Sequence, residues 1–98
     1  MSATRHTALK IVTDAVTELN ESLEDKIDLS NGEETPIYGA HGVIDSLDLV
    51  TLILMIEDEA KFTFGKIISI TDDKAMSSVR SPFRTVGSLT DYLTNLAA

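Results

Sequence analysis

From Ser46 to Phe64 the chain runs nineteen residues without a glycine or proline, and its middle, Leu49-Val-Thr-Leu-Ile-Leu-Met-Ile56, is apolar at all but one position. A short apolar run suits a buried strand as well as a helix. Here Leu and Met, and the charged flanks Asp48 and Glu57-Asp58-Glu59, extend the element past strand length and favour a helix. The spacing predicts one from Ser46 to Phe64 at most, with Gly65 as the residue that ends it in a left-handed turn. Charge is confined to its two ends, so its middle is either buried all round or faces something apolar that is not always present. Spacing alone does not assign Leu49, Leu52, Ile53, Leu54, Met55 and Ile56 to core or to a binding cavity.

The start of this helix places a hydroxyl at its mouth. With Asp45 at the N-cap and Asp48 three residues on, the cap is supplied by acids, and Ser46, at the first helical position, is free for chemistry. A phosphodiester on that oxygen would meet unpaired backbone N–H groups and the positive end of the helix dipole. The plainer alternative is that Ser46 is itself only a cap.

Elsewhere the pattern is helical. Ala8, Val12, Ala15, Val16, Leu19 and Leu23 recur at helical spacing with Lys10, Asp14, Thr17, Glu18 and Glu21 between them, which predicts an amphipathic first helix. From Asp25 to Ile44 the periodicity dissolves into Asn31-Gly32, Pro36, Gly39 and Gly42, the signals of a long loop, with Ile37 and Tyr38 as its anchors. Phe62-Thr-Phe64 could form a two-residue hairpin with Lys66-Ile-Ile-Ser-Ile70, but an extended loop is preferred. Thr71 or Asp72 can cap a short third helix running through Met76 to Val79, which Ser81-Pro82 stops. Val86, Leu89, Leu93 and Leu96 mark one face of a last helix, starting near Thr85 or at a capping box from Ser88 to Asp91.

The 98 residues, 43% of them hydrophobic, suit one small domain spanning 1–98. Net charge is −8, unevenly spread: residues 1–60 hold 3 basic and 13 acidic side chains, residues 61–85 hold 5 basic and 2 acidic ones. An acidic surface repels phosphate, which argues against nucleic acid and anionic membrane and for basic docking surfaces on other proteins. The N-terminal segment lacks a continuous apolar core of signal-peptide type, and no stretch is long and apolar enough to span a bilayer, so a cytoplasmic monomer without membrane insertion is expected. Zinc is disfavoured, because the chain has no cysteine and only His6 and His41. The loop around Asp28-Leu-Ser-Asn-Gly32 lacks the alternating acids of an EF-hand. No Gly-x-Ser-x-Gly turn supports a hydrolase at Ser46, and His41 reads as a loop residue. Met55 and Met76 read as core filler.

Gly42-Val-Ile-Asp-Ser-Leu-Asp-Leu-Val50, the acidic Glu57-Asp58-Glu59 and Phe83-Arg-Thr-Val-Gly-Ser-Leu-Thr-Asp-Tyr-Leu93 together resemble an acyl carrier protein, over most of the chain. The resemblance implies an all-α, four-helix bundle with a long loop between the first two helices and a short third helix. It implies that Ser46, flanked by Asp45 and Leu47, carries 4′-phosphopantetheine, covalently transferred from coenzyme A by a phosphopantetheinyl transferase. Such a chain is not an enzyme; it holds an acyl group as a thioester and presents it to loading and transferring enzymes. Asp45 would orient the transferase and its metal, and Asp48, Glu57 and Glu59 would dock enzymes. The chain departs from the housekeeping fatty-acid carriers at Leu49, Thr51 and Leu54, where such carriers use acidic positions. The stretch from Lys61 to Arg84 is longer and basic, and the segment Thr71-Asp-Asp-Lys-Ala-Met76 through Ser81-Pro-Phe-Arg-Thr-Val86 resembles stand-alone bacterial carriers of specialised pathways, with Lys74, Arg80 and Arg84 as further partner-binding residues. The alternative is an unmodified acidic helical interaction module.

Overall fold

A computed structural model of the chain describes residues 3–38, 42–65, 67, 68, 70 and 83–97. Their regular structure is helical: α1 (Ala3–Asn20), a 3-10 helix (Leu29–Glu34), α2 (Ser46–Phe64) and α3 (Val86–Ala97). The expected short helix from Thr71 or Asp72 to Val79, with Met76 and Pro82, lies outside the described residues, as do Gly39 and His41.

α1 turns Ala8, Ile11, Val12, Ala15, Val16 and Leu19 inward. It packs against both α2 and α3. It ends at Asn20, so Leu23 falls in the following turn rather than on the helix, and is half-buried there. The side chains that satisfy the helix end explain the stop. Ser22 Oγ donates to the Leu19 carbonyl at 3.0 Å, and Lys26 Nζ donates to the carbonyls of Asn20 and Leu23. The Asn20 amide then pairs with both backbone groups of Ile27, donating at 2.9 Å and accepting at 2.8 Å, which turns the chain back with Ile27 buried.

The connection to α2 is long but not featureless. Asp28 caps the 3-10 helix by accepting from Ser30 N at 2.9 Å, and Gly32, at φ 60°, kinks it in a conformation that a side chain would strain. Beyond it the chain pairs with the start of α3: Val86 N donates to the Thr35 carbonyl at 3.0 Å and Ile37 N to the Arg84 carbonyl at 2.8 Å, around an isolated antiparallel bridge between Pro36 and Thr85. Ile37 is fully buried and Tyr38 half-buried. The Ile37 carbonyl accepts from Val43 N and Ile44 N, which brings the chain to the mouth of α2.

α2 buries Leu49, Leu52, Ile53, Ile56 and Ala60, a single stripe at helical spacing. It continues to Phe64 and ends on Gly65, left-handed at φ 70°, whose N–H donates to the Lys61 carbonyl. Phe62–Phe64 are therefore helical and form no hairpin. In α3, Ser88 N donates to Thr85 Oγ1 at 3.1 Å and Thr85 N to Ser88 Oγ at 3.0 Å, a reciprocal cap that fixes its start near Thr85. Val86, Leu89 and Leu93 are buried, and Phe83 meets Tyr92 edge-on at 6.4 Å between ring centres. The inward faces of the three α-helices, with Ile27, Ile37, Ile44, Ile68, Ile70 and Phe83, form one core. None of the described helices is long and apolar enough to cross a membrane.

Candidate functional site

Asp45 is extended, at φ −87° and ψ −178°, and its carboxylate accepts from Asp48 N at 2.9 Å while its carbonyl accepts from Leu49 N. That cap leaves the serine uncommitted. Ser46 is exposed, and among the described residues its hydroxyl has no hydrogen-bond partner. The N–H groups of Ser46 and Leu47 have no carbonyl one turn earlier to bond, so the hydroxyl stands beside orphan donors at the positive end of the helix dipole. Asp48 is half-buried in the first turn.

Next to the serine the helix surface is apolar. Leu47 is 73% exposed, Val50 37% and Leu54 56%. These positions follow one another at three and four residues, so they lie on a single outward face, distinct from the buried stripe of Leu49, Leu52, Ile53 and Ile56. The apolar middle of α2 is thus divided: one side builds the core and the other meets solvent.

The three acids Asp48, Glu57 and Glu59 do not share a surface. Nine residues at about 100° each set Asp48 and Glu57 on opposite sides of the helix, whereas the eleven from Asp48 to Glu59 bring those two onto one side. Glu59 is exposed. Glu57 is half-buried and accepts from Ile70 N, so it ties Ile70 to α2. Arg84 is exposed; Lys74 and Arg80 lie outside the described residues. Among the described residues, no group of three or more His, Asp or Glu side chains is placed to hold a metal ion.

Sequence reasoning missed two features. A cleft of about 330 Å³ between α1 and α2 has Ile11, Ala15 and Met55 as its floor and Asp14, Glu18, Asp58 and Glu59 along its walls. The pair Asp14 and Glu18, one turn apart, was visible in the sequence, but not that α2 would set Asp58 and Glu59 facing it. A shallower groove of about 300 Å³ lies on the outer side of α2, lined by Leu54, Glu57, Asp58, Lys61, Ile67 and Ile68. Comparison with family models, with characterised proteins and with solved structures finds no match to this chain.

Proposed function

We propose that the chain is an acyl carrier that performs no reaction itself, with Ser46 as the attachment point for 4′-phosphopantetheine. The observation that carries this reading is the exposed hydroxyl at a helix mouth whose cap is supplied by its neighbour Asp45. In the loading step the Ser46 oxygen attacks the pantetheine-side phosphorus of coenzyme A. The P–O bond of the pyrophosphate breaks, adenosine 3′,5′-bisphosphate leaves, and the serine proton passes to a base of the transferase. The residues fit the product, because the orphan N–H groups and dipole of α2 stabilise a phosphodiester. The arm's terminal thiol supplies the chemistry, holding a carboxylic acid as a thioester. Asp45, beside the serine, orients the transferase and its metal, Asp48 docks it, and the apolar Leu47 seats it. The basic stretch with Lys74, Arg80 and Arg84 selects the dedicated pathway enzymes, in keeping with a specialised rather than a housekeeping carrier.

Incubation with coenzyme A and a promiscuous phosphopantetheinyl transferase, followed by intact mass measurement, is expected to give one pantetheine phosphate adduct that Ser46→Ala abolishes. Loading should slow as salt rises, because charge steering is screened, and Asp48→Lys should slow it most at low salt, where that steering is strongest. Neutralising Lys74, Arg80 and Arg84 should leave loading intact and impair transfer by the pathway enzymes. An unchanged mass across several transferases would overturn the carrier reading. It would leave the second reading, an unmodified module that binds a basic partner, which the acid-walled cleft between α1 and α2 favours.

A further inference from the structure

The outer face of α2 forms a continuous apolar track from Ser46 to a groove. Leu47, Val50 and Leu54 follow the helix axis, and beyond them the groove takes in Leu54, Ile67 and Ile68, with Ile67 82% exposed. At 1.5 Å per residue, Leu54 lies about 12 Å and Lys61 about 22 Å along the axis from Ser46. A pantetheine arm of about thirteen bonds, at roughly the 1.2 Å per bond of an extended peptide, reaches about 16 Å. Laid along this face, its thiol falls between Leu54 and Lys61, at the groove. The inner face gives no such room beside the serine, since Leu49, Leu52, Ile53 and Ile56 are fully buried in the core.

We propose that this groove is the resting site of the cargo: an uncharged, apolar acyl group carried on the outside of the bundle, over Leu54 and Ile67. The proposal rests on the carrier reading of Ser46. Apolar cargo is favoured because it covers side chains that otherwise face water. A cargo ending in a second carboxylate is disfavoured, because Glu57 and Asp58 outnumber Lys61 along the walls.

The test loads Ser46 with acetyl-, octanoyl- or succinyl-pantetheine from the matching coenzyme A thioesters, verifies each adduct by intact mass, and compares amide spectra. Octanoyl is expected to shift Leu54, Asp58, Lys61, Ile67 and Ile68 relative to acetyl, more than any other residues, and succinyl to leave them unmoved. Leu54→Asp and Ile67→Asp, both at exposed positions, should abolish the octanoyl shifts while the adduct still forms. Octanoyl shifts at Leu49, Leu52 and Ile53 would place the chain in the core and overturn the proposal. So would a groove indifferent to cargo that responds only to added transferase, which would mark it as a protein docking surface. Failure of the mass to change at all would refute the carrier reading itself, and that result is distinct from an adduct formed without groove shifts.

Discussion

A carboxylate at position 45 caps more strongly here than a hydroxyl at 46 can, because only the residue before the first helical turn reaches the N–H of the third. Asp45→Ala should therefore cost about 0.5–2 kcal/mol, while Ser46→Ala should change stability little. Urea titration of both variants checks the order, and a reversal would make Ser46 the structural cap. This division was legible in the sequence, since Asp45, Ser46 and Asp48 fall within four consecutive residues and capping is a local interaction. The placement of Glu57 was not. Its bond to Ile70 N, thirteen residues on, depends on how the chain returns to α2 after Gly65, and no local pattern encodes that return. As a turn signal Gly42 says nothing of its surroundings, yet a Cβ there would lie 2.4 Å from Tyr38 Cα, so the position admits no side chain unless the loop shifts.

Among elements, α2 asks the most of its sequence, because two adjacent apolar residues serve opposite surroundings. Ile53 is fully buried and Leu54 mostly exposed. Ile53→Ala is expected to cost about 2–5 kcal/mol, through lost burial and the cavity left behind. Leu54→Ala should stay within about 0.5 kcal/mol, as is usual at a surface position. Denaturation midpoints of the two variants decide it, and equal losses would mean that the outer face is covered in solution. The sequence showed that the helix had too many apolar residues for one stripe, but which side faced water depended on where α1 packs. α1 was predicted from periodicity, although Leu23, in register with it, sits past its end because Asn20 bonds Ile27 instead of continuing the turn. The 3-10 helix Leu29–Glu34 has no sequence signature, because Leu-Ser-Asn-Gly-Glu-Glu has no apolar period and is set by Asp28 and tertiary contact.

For the whole molecule, one side chain joins three elements. Arg5 on α1 donates to both oxygens of Glu33 in the 3-10 helix and, at 2.9 Å, to Asp91 on α3. The guanidinium holds the Glu33 carboxyl below the usual glutamate range, chiefly by hydrogen bonding. A carboxyl lowered in the folded state contributes stability above its unfolded value and loses it as pH falls through the folded one. Wild type should thus weaken on acidification below the ordinary glutamate range more steeply than Glu33→Gln, with the two converging once Glu33 is protonated; urea titrations from neutral to acid pH would read this, and parallel curves would discount the contact. Arg5 itself is raised, so its charge persists across that window. Charge asymmetry was plain in the sequence, whereas this convergence of positions 5, 33 and 91 was not, because it needs α1 and α3 to pack side by side. The bridge between Pro36 and Thr85 has a consequence for how the chain tolerates change in length. It closes a loop of residues 37–84, which contains all of α2. Closure entropy grows only with the logarithm of length, so ten extra residues in that loop would cost about 0.2 kcal/mol. Residues added between the buried Ile70 and Phe83 therefore leave the clasp that seats Ser46 almost as tightly closed, whereas removal of either of those side chains would open the core.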